Sequence, residues 1–401
     1  MESPSISALI QTWSKAQAFT SVNGLDASAN KLNLSNGKEF TYKSLVLAPG
    51  FDHKASNIKG LSEMAAMHDS TNVFVHTIDN KATVLKNYYH GYTHTHGDFI
   101  VYSPQVPYKG EGSDFYALYY EHFMRQDKLH ERNAANARLQ FWTPNKFIYS
   151  FPYANEVALE ECAKRGIDVM FGWEMMEVKF NEINQKIAVF RNVDSGEVIE
   201  KDFNAACINP ESKPHSWLVD AGLTNADGGV DVNRYTLQHN EHENVFAFGD
   251  CISGETTRTQ TAAMRQAPIV KNNVLKFMGG KDCNAIHDGY TWWPLWLGHS
   301  HTTSFSHLHD FEPDTWNHVV PHYGIFSRIA YGRMLGSTAS AAKAYSSMDK
   351  NHGPPAFKGL YAHEYDALEN NELLKTRGLN PSDVRHPNHQ ARIEAGEPSA
   401  Q

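Results

Sequence analysis

Short apolar segments alternate with longer helical segments along this chain. Apolar or alternating runs predict strands at residues 98–103, 139–144, 167–171 and 205–210, with a helix at 155–165 that stops at Gly166. The strand–helix–strand order between residues 97 and 172 is typical of a doubly wound α/β unit. The pattern therefore predicts a parallel sheet in the middle of the chain.

Other elements flank that unit. Longer helical patterns are predicted at residues 69–92 and 113–136, and a meander at 176–203 turns at Asp194-Ser195-Gly196. Asn36-Gly37, between two alternating segments, predicts a hairpin near the start of the chain.

Two buried-strand patterns end at glycine. Residues 45–48 are closed by Pro49-Gly50, and residues 245–248 end at Gly249-Asp250, with a helix-like segment a few residues later. Such a strand end suits a flavin, because glycine admits the cofactor to the backbone and the aspartate can accept hydrogen bonds from ribityl hydroxyls. A helix N-terminus beside this strand end would favour negative charge on the flavin ring. The alternative is an ordinary strand–turn–helix in which the aspartate caps the helix.

Composition narrows the class of protein. The chain has 401 residues, enough for two or three domains, and 41% of them are hydrophobic, which is ordinary for a globular protein. The net charge of -9 argues against nucleic acid as the main partner, since phosphate binding requires a basic surface.

The four cysteines are widely spaced and include no CxxC, so the sequence indicates neither a disulfide framework nor a zinc ribbon. No apolar run approaches the roughly 18 residues of a membrane-spanning helix, so any membrane contact is expected to be peripheral. The first residues show neither a signal-peptide nor a transit-peptide pattern.

The segments TYKSLVLAPG, IKGL and NVFAFGDC together resemble the pyridine nucleotide-disulfide oxidoreductase superfamily. Within it, four further pieces resemble the sulfide:quinone oxidoreductases. These pieces are residues 228–239, the run from Thr257-Arg258 to Pro268, His287-Asp-Gly-Tyr-Thr291, and residues 353–357. The resemblance runs in order from about residue 20 to about residue 360.

The resemblance implies a Rossmann-like flavoprotein fold with two dinucleotide-binding domains. It divides the chain into the first part of an incomplete FAD-type domain (1–60), a second Rossmann-like domain (61–210), the second part of the FAD-type domain (211–285), and a C-terminal interface or membrane-proximal region with a tail (286–401). FAD is the implied cofactor. The implied binding residues are Ala48, Gly50, Gly249, Asp250 and Arg258.

The start of the chain departs from the family. No strand–turn–helix with G-x-G-x-x-G precedes the first strands, and Gly110-Glu-Gly112 has Phe115 where the third glycine is required. We therefore expect the FAD domain to lack its ADP site, which argues against retention of FAD. An incomplete sheet would also expose an edge and an apolar face, which predicts a protein partner that covers them.

The redox cysteines of the family are also replaced. Matching SPQVPYKGEGSD and YTWWPL to the two cysteine segments puts Gly110 and Trp293 at the cysteine positions. Neither residue can provide the thiolate that sulfide oxidation requires. Where the family usually has a lysine near the flavin, this chain has Arg258, which either keeps the positive charge at the cofactor or forms a surface salt bridge.

The histidines and tryptophans leave further alternatives open. His299, His301, His307 and His309 could present metal ligands on one strand face, completed by Asp310 or His322, although a polar face in a histidine-rich chain is favoured. His90, His94 and His96 are open to the same two interpretations. The tryptophans near residues 292–316 could replace a quinone pocket, but filling a vacated cavity or docking a partner is favoured.

The favoured function is a catalytically degenerate relative of sulfide:quinone oxidoreductase. By resemblance it would be an accessory subunit of an assembly at the mitochondrial inner membrane, with peripheral membrane contact at residues 323–344 as one option. One alternative is an active FAD-dependent quinone oxidoreductase whose N-terminal half comes from another chain. A second alternative is a histidine-dependent metal-binding protein.

Overall fold

A computed structural model describes residues 20–75, 97–108, 117–118, 121, 137–254, 258–296, 302–312, 319–320, 374 and 378–395. Several sequence predictions fall outside these residues. They concern Gly110 and its neighbours, most of the helix at 113–136, the histidines at 90, 94, 96, 299, 301 and 322, and the segments 323–344 and 353–357.

The secondary structure follows the chain in this order. The strands are β1 Val22–Asp26, β2 Lys31–Leu34, β3 Glu39–Thr41, β4 Leu45–Leu47, β5 Asp52–His53, β6 Val73–Val75, β7 Gly97–Tyr102, β8 Ala137–Thr143, β9 Asp168–Phe171, β10 Trp173–Phe180, β11 Lys186–Asn192, β12 Val198–Phe203, β13 Ala205–Ile208, β14 Ser212–Lys213, β15 Val245–Ala247, β16 Thr291–Trp296, β17 Thr302–His307 and β18 Val319–Val320. The α-helices are α1 Leu61–Ala66, α2 His68–Thr71, α3 Pro152–Arg165, α4 Ser216–Asp220, α5 Gln260–Met278 and α6 Pro387–Glu394. Short 3₁₀ helices lie at Ala55–Asn57, Gly249–Cys251, His309–Phe311 and Pro381–Val384.

A five-stranded parallel sheet forms the centre of the first lobe, in the order β6-β13-β7-β8-β9. Helix α3 covers one face with Ala154, Ala158 and Cys162, which lie four residues apart and are all buried. Gly166 ends this helix in the left-handed conformation, as its position predicts. The predicted doubly wound α/β unit is therefore confirmed.

The opposite face of this sheet is covered differently. Leu61 and Met64 of α1 pack there beside Met175, Val178 and Phe190 of an antiparallel sheet with the order β10-β11-β12. That sheet is the predicted meander, and Gly196 turns it with a φ of 73°. Two separate apolar clusters thus enclose the parallel strands.

The second lobe combines an antiparallel sheet, β1-β2-β3, with the parallel pair β4–β15. The predicted hairpin lies between β2 and β3, where Gly37 has a φ of 79°. Helix α5 packs Ile269 and Val270 into the core of this lobe, against Val245 and Phe246. In the described residues, no helix has the length and apolar character that crossing a membrane requires.

Two sequence predictions about secondary structure need correction. The helix predicted at 69–92 is wrong at residues 73–75, which form β6, because these β-branched and aromatic side chains are buried beside β13. The strand β16 was not predicted, since Pro294 lies within it. Proline is tolerated there because β16 is an edge strand of the sheet β16-β17-β18.

Candidate functional site

The parallel pairing of β4 with β15 brings the two glycine turns together. Leu45 pairs with Val245 and Leu47 with Ala247, so both strands end at the same edge of the sheet. Gly50 and Gly249 follow these ends with φ values of 71° and 80°. Such left-handed backbone is the conformation for which glycine is favoured. Ala48, the remaining predicted residue of this turn, is exposed just after β4.

Both turns leave room for a close approach to the backbone. Among the described residues, a Cβ atom at Gly50 would meet no atom within 4 Å, and one at Gly249 would meet only the Cβ of Ala263, at 3.8 Å. The backbone N–H of Gly249, however, donates to Oε1 of Gln266 at 2.8 Å. One donor of the turn is therefore already used inside the protein.

Arg258 lies inside the protein next to this site. It has a φ of 50° and is 6% exposed, and its guanidinium carbon lies 5.1 Å from the centre of the Phe51 ring. The burial of Arg258 does not fit the surface position that the salt-bridge alternative assumed. A cation over an aromatic face is stabilised by the ring quadrupole, which keeps a positive charge beside the Gly50 turn.

The N-terminus of α5 is held by buried hydroxyl groups. Thr259 is the N-cap, and its Oγ1 accepts from the N–H of Ala262 at 3.3 Å. The same Oγ1 lies 2.9 Å from Oγ1 of Thr261 and 2.9 Å from Oγ1 of Thr291. The hydroxyl of Thr261 also donates to the carbonyl of Trp292. These contacts fix the start of α5 against β16.

A buried polar network that the sequence did not predict lies behind the Gly249 turn. Nε2 of Gln266 lies 3.4 Å from Nε2 of His287, while Oε1 of the same side chain binds Gly249. The neighbouring Asp288 carboxylate accepts from the Arg265 guanidinium at 3.3 Å and from the N–H of Tyr290 at 3.1 Å. Residues of α5 thus connect the glycine turn to the segment before β16.

Burial and charge shift the titration of this network. Burial lowers the pKa of His287 to about 3, with His309 and Arg265 acting in the same direction, so the imidazole is neutral. Burial alone would raise the pKa of Asp288, but the charge and hydrogen bond of Arg265, together with His287 and the N–H of Tyr290, hold that pKa below its usual value. A neutral His287 can accept the hydrogen bond from Gln266.

We expect the protein to lose stability as the pH falls from 6.5 towards 3. The pKa of His287 is lower in the folded protein than in the unfolded chain, so the unfolded chain takes up the proton first and unfolding is favoured. Lowered pKa values of His239, His309 and His386 act in the same direction. Urea unfolding midpoints measured between pH 7.5 and pH 4 would show the decline. The variant His287→Gln should show a shallower slope, and a flat wild-type profile would contradict the assignment.

The cysteines lie away from any reactive environment. All four are free and buried. Burial raises the pKa of Cys162, Cys251 and Cys283 to about 12 in each case, which keeps these thiols protonated. Cys251, directly after Asp250, donates to the carbonyl of Phe248 at 3.4 Å. The side chain next to the flavin-type motif is therefore a packed thiol.

Trp293, at the position matched to a family cysteine, fills the interior. It is 1% exposed, and its ring centre lies 5.8 Å from Phe305, 5.9 Å from Tyr149 and 6.1 Å from Phe151. The prediction that a tryptophan here fills a cavity agrees with this packing. The other matched position, Gly110, lies outside the described residues.

His307 and His309, the two described members of the histidine face considered above, do not lie on one strand. His307 is the last residue of β17 and packs against Phe151 and Trp293, whereas His309 lies in the following 3₁₀ helix. Nε2 of His309 lies 3.0 Å from the carbonyl oxygen of His287. No group of three or more metal-ligating side chains occurs among the residues that the structure describes.

Comparison with known proteins finds relatives among the mitochondrial sulfide:quinone oxidoreductases. The chain is 28% identical over 295 residues to the mitochondrial sulfide:quinone oxidoreductase of Schizosaccharomyces pombe, an alignment that covers 73% of this chain and 62% of the relative. The mouse mitochondrial enzyme is 26% identical over 279 residues, covering 69% of this chain and 59% of the relative. This chain is similar in sequence to mitochondrial sulfide:quinone oxidoreductases. It spans about three fifths of the length of these curated relatives.

Solved structures agree with this relationship. The sulfide:quinone oxidoreductase of Aquifex aeolicus superposes with a TM-score of 0.59 at 17% identity, covering 82% of this chain and 79% of that one, which confirms the Rossmann-like flavoprotein fold. A chain in the cryo-EM structure of the Tetrahymena thermophila mitochondrial ATP synthase superposes with a TM-score of 0.69 at 28% identity, covering 80% of this chain and 77% of that one. No protein-family model matches this chain.

The names of the relatives also bear on the predicted location of the protein in the cell. The curated relatives of this chain are mitochondrial proteins, which supports the predicted mitochondrial location. Association with the inner membrane rests on the resemblance alone and stays a prediction. The cofactor-binding roles of Ala48, Gly50, Gly249, Asp250 and Arg258 are likewise still predictions.

Proposed function

We propose that this chain is a catalytically degenerate homologue of sulfide:quinone oxidoreductase that serves as an accessory subunit of a mitochondrial membrane assembly. The observation that carries the proposal is Trp293, a buried indole at a position matched to a redox cysteine. All four thiols are buried, and burial raises the pKa of Cys162, Cys251 and Cys283 to about 12, so these three do not supply a thiolate nucleophile in its place.

The residues present fit the flavin end of FAD. Gly50, Gly249, Asp250 and Arg258 would hold it, since both glycine turns are open to close approach and a positive charge lies beside them. A bound FAD supplies two-electron redox chemistry. The donation of the Gly249 N–H to Gln266 and the capping of α5 by Thr259 leave fewer backbone donors for a cofactor.

An open strand edge supports the proposed protein partner. The N–H of Leu45 donates to Asn244 and the carbonyl of Leu47 accepts from Phe248, so both residues face β15. Val46 lies between them with its backbone groups on the other edge of β4, where the described residues include no further strand, and it is 44% exposed. Apolar strand edges of this kind are normally covered.

The kind of assembly is suggested by one comparison. The similarity to a chain in the Tetrahymena mitochondrial ATP synthase structure supports a place in a large mitochondrial complex, in which the β4 edge would contact a neighbouring subunit. The alternative, an active FAD-dependent quinone oxidoreductase completed by another chain, is favoured by the open glycine turns alone.

The two functions predict opposite results for the native particle. If the structural proposal holds, the chain co-purifies with a large mitochondrial assembly. The denatured assembly then releases far less flavin than one FAD per chain. A flavoenzyme from the same preparation serves as the control that flavin release works. Near-stoichiometric FAD, together with bleaching of the flavin by a reductant, would overturn the proposal in favour of the enzyme.

A further inference from the structure

Residues 378–395, here called the C-terminal strap, fold back onto the second lobe. This part of the predicted C-terminal tail packs against the rest of the chain. The strap contains the 3₁₀ helix Pro381–Val384 and helix α6. Its docking is specific, because charged and apolar contacts occur at separate points along it.

Two arginines attach the strap through paired hydrogen bonds. Arg385 donates to both carboxylate oxygens of Asp282, at 2.9 and 2.8 Å. Arg392 donates to both oxygens of Glu243, at 2.7 and 2.6 Å. These four side chains are 17–26% exposed, so water screens the pairs only in part. Bidentate pairs of this geometry are the stronger class of ionic contact.

Apolar contacts place the strap over the segment from Asp282 to Asp288. Val384 of the strap and Leu374 form a buried cluster with Ile286, and Leu379 and Tyr235 pack at its border. Helix α5 also contacts the covered segment, because the Asn273 side chain forms hydrogen bonds with both the N–H and the carbonyl of Ala285. The strap and α5 therefore clamp this segment from two sides.

The clamped segment leads directly to the Gly249 turn. Ile286 is followed by His287, whose imidazole contacts Gln266, and Gln266 in turn accepts the N–H of Gly249. Each step is a direct contact between neighbouring groups. A continuous set of packed and hydrogen-bonded groups thus joins the strap to the flavin-type turn.

We propose that the strap is a conformational lock on the Gly249 turn. When the strap is docked, it fixes the position of His287. His287 then orients the Gln266 side chain, whose Oε1 accepts the hydrogen bond from the Gly249 N–H. When the strap is released, the segment from Asp282 to Asp288 gains freedom and the Gly249 N–H becomes available to a ligand. The coupling goes beyond the proposed function and holds whether or not FAD binds.

Hydrogen exchange of the full chain tests this coupling. The double variant Arg385→Gln, Arg392→Gln removes both arginine–carboxylate pairs and leaves the contact of His389 with Asp282 in place. We expect exchange in the strap to rise about tenfold, with a smaller increase of several-fold in peptides covering residues 282–290 and 245–252. The matched control is Arg191→Gln with Lys179→Gln, which removes two ion pairs from the β10-β11-β12 sheet. This control should leave the Gly249 peptide unchanged.

A second variant releases the strap through its apolar contacts instead of its ion pairs. Val384→Asp places a charge in the apolar cluster and releases the strap even if the ion pairs contribute little. The proposal is overturned if strap exchange rises in either variant while the peptide containing Gly249 keeps its wild-type rate. It is equally overturned if neither variant changes strap exchange. Flavin content plays no part in these outcomes, so they are independent of the test of the proposed function.

Discussion

Replacing Trp293 by alanine is expected to lower the free energy of unfolding by about 3–5 kcal/mol. The indole is 1% exposed and packs among Tyr149, Phe151 and Phe305, so its loss leaves a large cavity that these rings can close only in part. Urea unfolding followed by far-UV circular dichroism measures the change without relying on tryptophan fluorescence.

The conservative control is Trp293→Phe. Phenylalanine keeps most of the ring volume and removes an indole N–H that has no hydrogen-bond partner in the described part of the chain, so a loss below about 1.5 kcal/mol is expected. A similarly small loss for the alanine variant would mean that the site is loosely packed. It would then have room for chemistry, and the case for a degenerate site would weaken.

The variant Trp293→Cys connects this packing to function. A thiol at this position would restore the residue type of the family but leave the aromatic cavity underfilled, so we expect a loss of stability close to that of the alanine variant. We expect no sulfide-dependent quinone reduction, because burial raises the pKa of a thiol and keeps it protonated.

The glycine turns could be predicted from the sequence because their chemistry is local. A short apolar run that ends in Pro49-Gly50 or Gly249-Asp250 identifies a buried strand and its turn, and parallel strands end at one edge of a sheet. The hairpin at Asn36-Gly37 was predictable for the same reason, since the turn type selects the residues.

The network behind Gly249 could not be predicted in this way. Gln266 lies 17 residues from Gly249 and 21 from His287, and only the packing of α5 selects these partners among the many polar side chains. The less favoured alternative of a histidine strand face is not met by His307 and His309 for a related reason, because the strand ends at His307 and His309 begins a 3₁₀ helix. Neither effect has a signal in the local pattern.

Replacing Arg265 by alanine is expected to cost about 3–5 kcal/mol of stability. The Arg265 and Asp288 side chains are 11% and 12% exposed, and their bond of 3.3 Å joins α5 to the segment before β16. Removal of the guanidinium leaves a carboxylate in a site of low polarity, where an uncompensated charge is costly. Urea unfolding at pH 7.5 measures the loss, and it should exceed that of any exposed ion pair in the chain.

The exposed pair of Arg234 with Asp310 supplies the matched control. Its N–O distance of 3.2 Å is nearly the same, but its side chains are 40% and 72% exposed, so Arg234→Ala should cost about 1 kcal/mol or less. The double variant Arg265→Met, Asp288→Leu removes both charges and should recover much of the loss. If the double variant is instead less stable than both Arg265→Ala and Arg234→Ala, the Arg265–Asp288 pair stabilises the protein through specific hydrogen bonds as well as through charge compensation. The N–H of Tyr290, which loses its acceptor in that variant, would then be the first group to test.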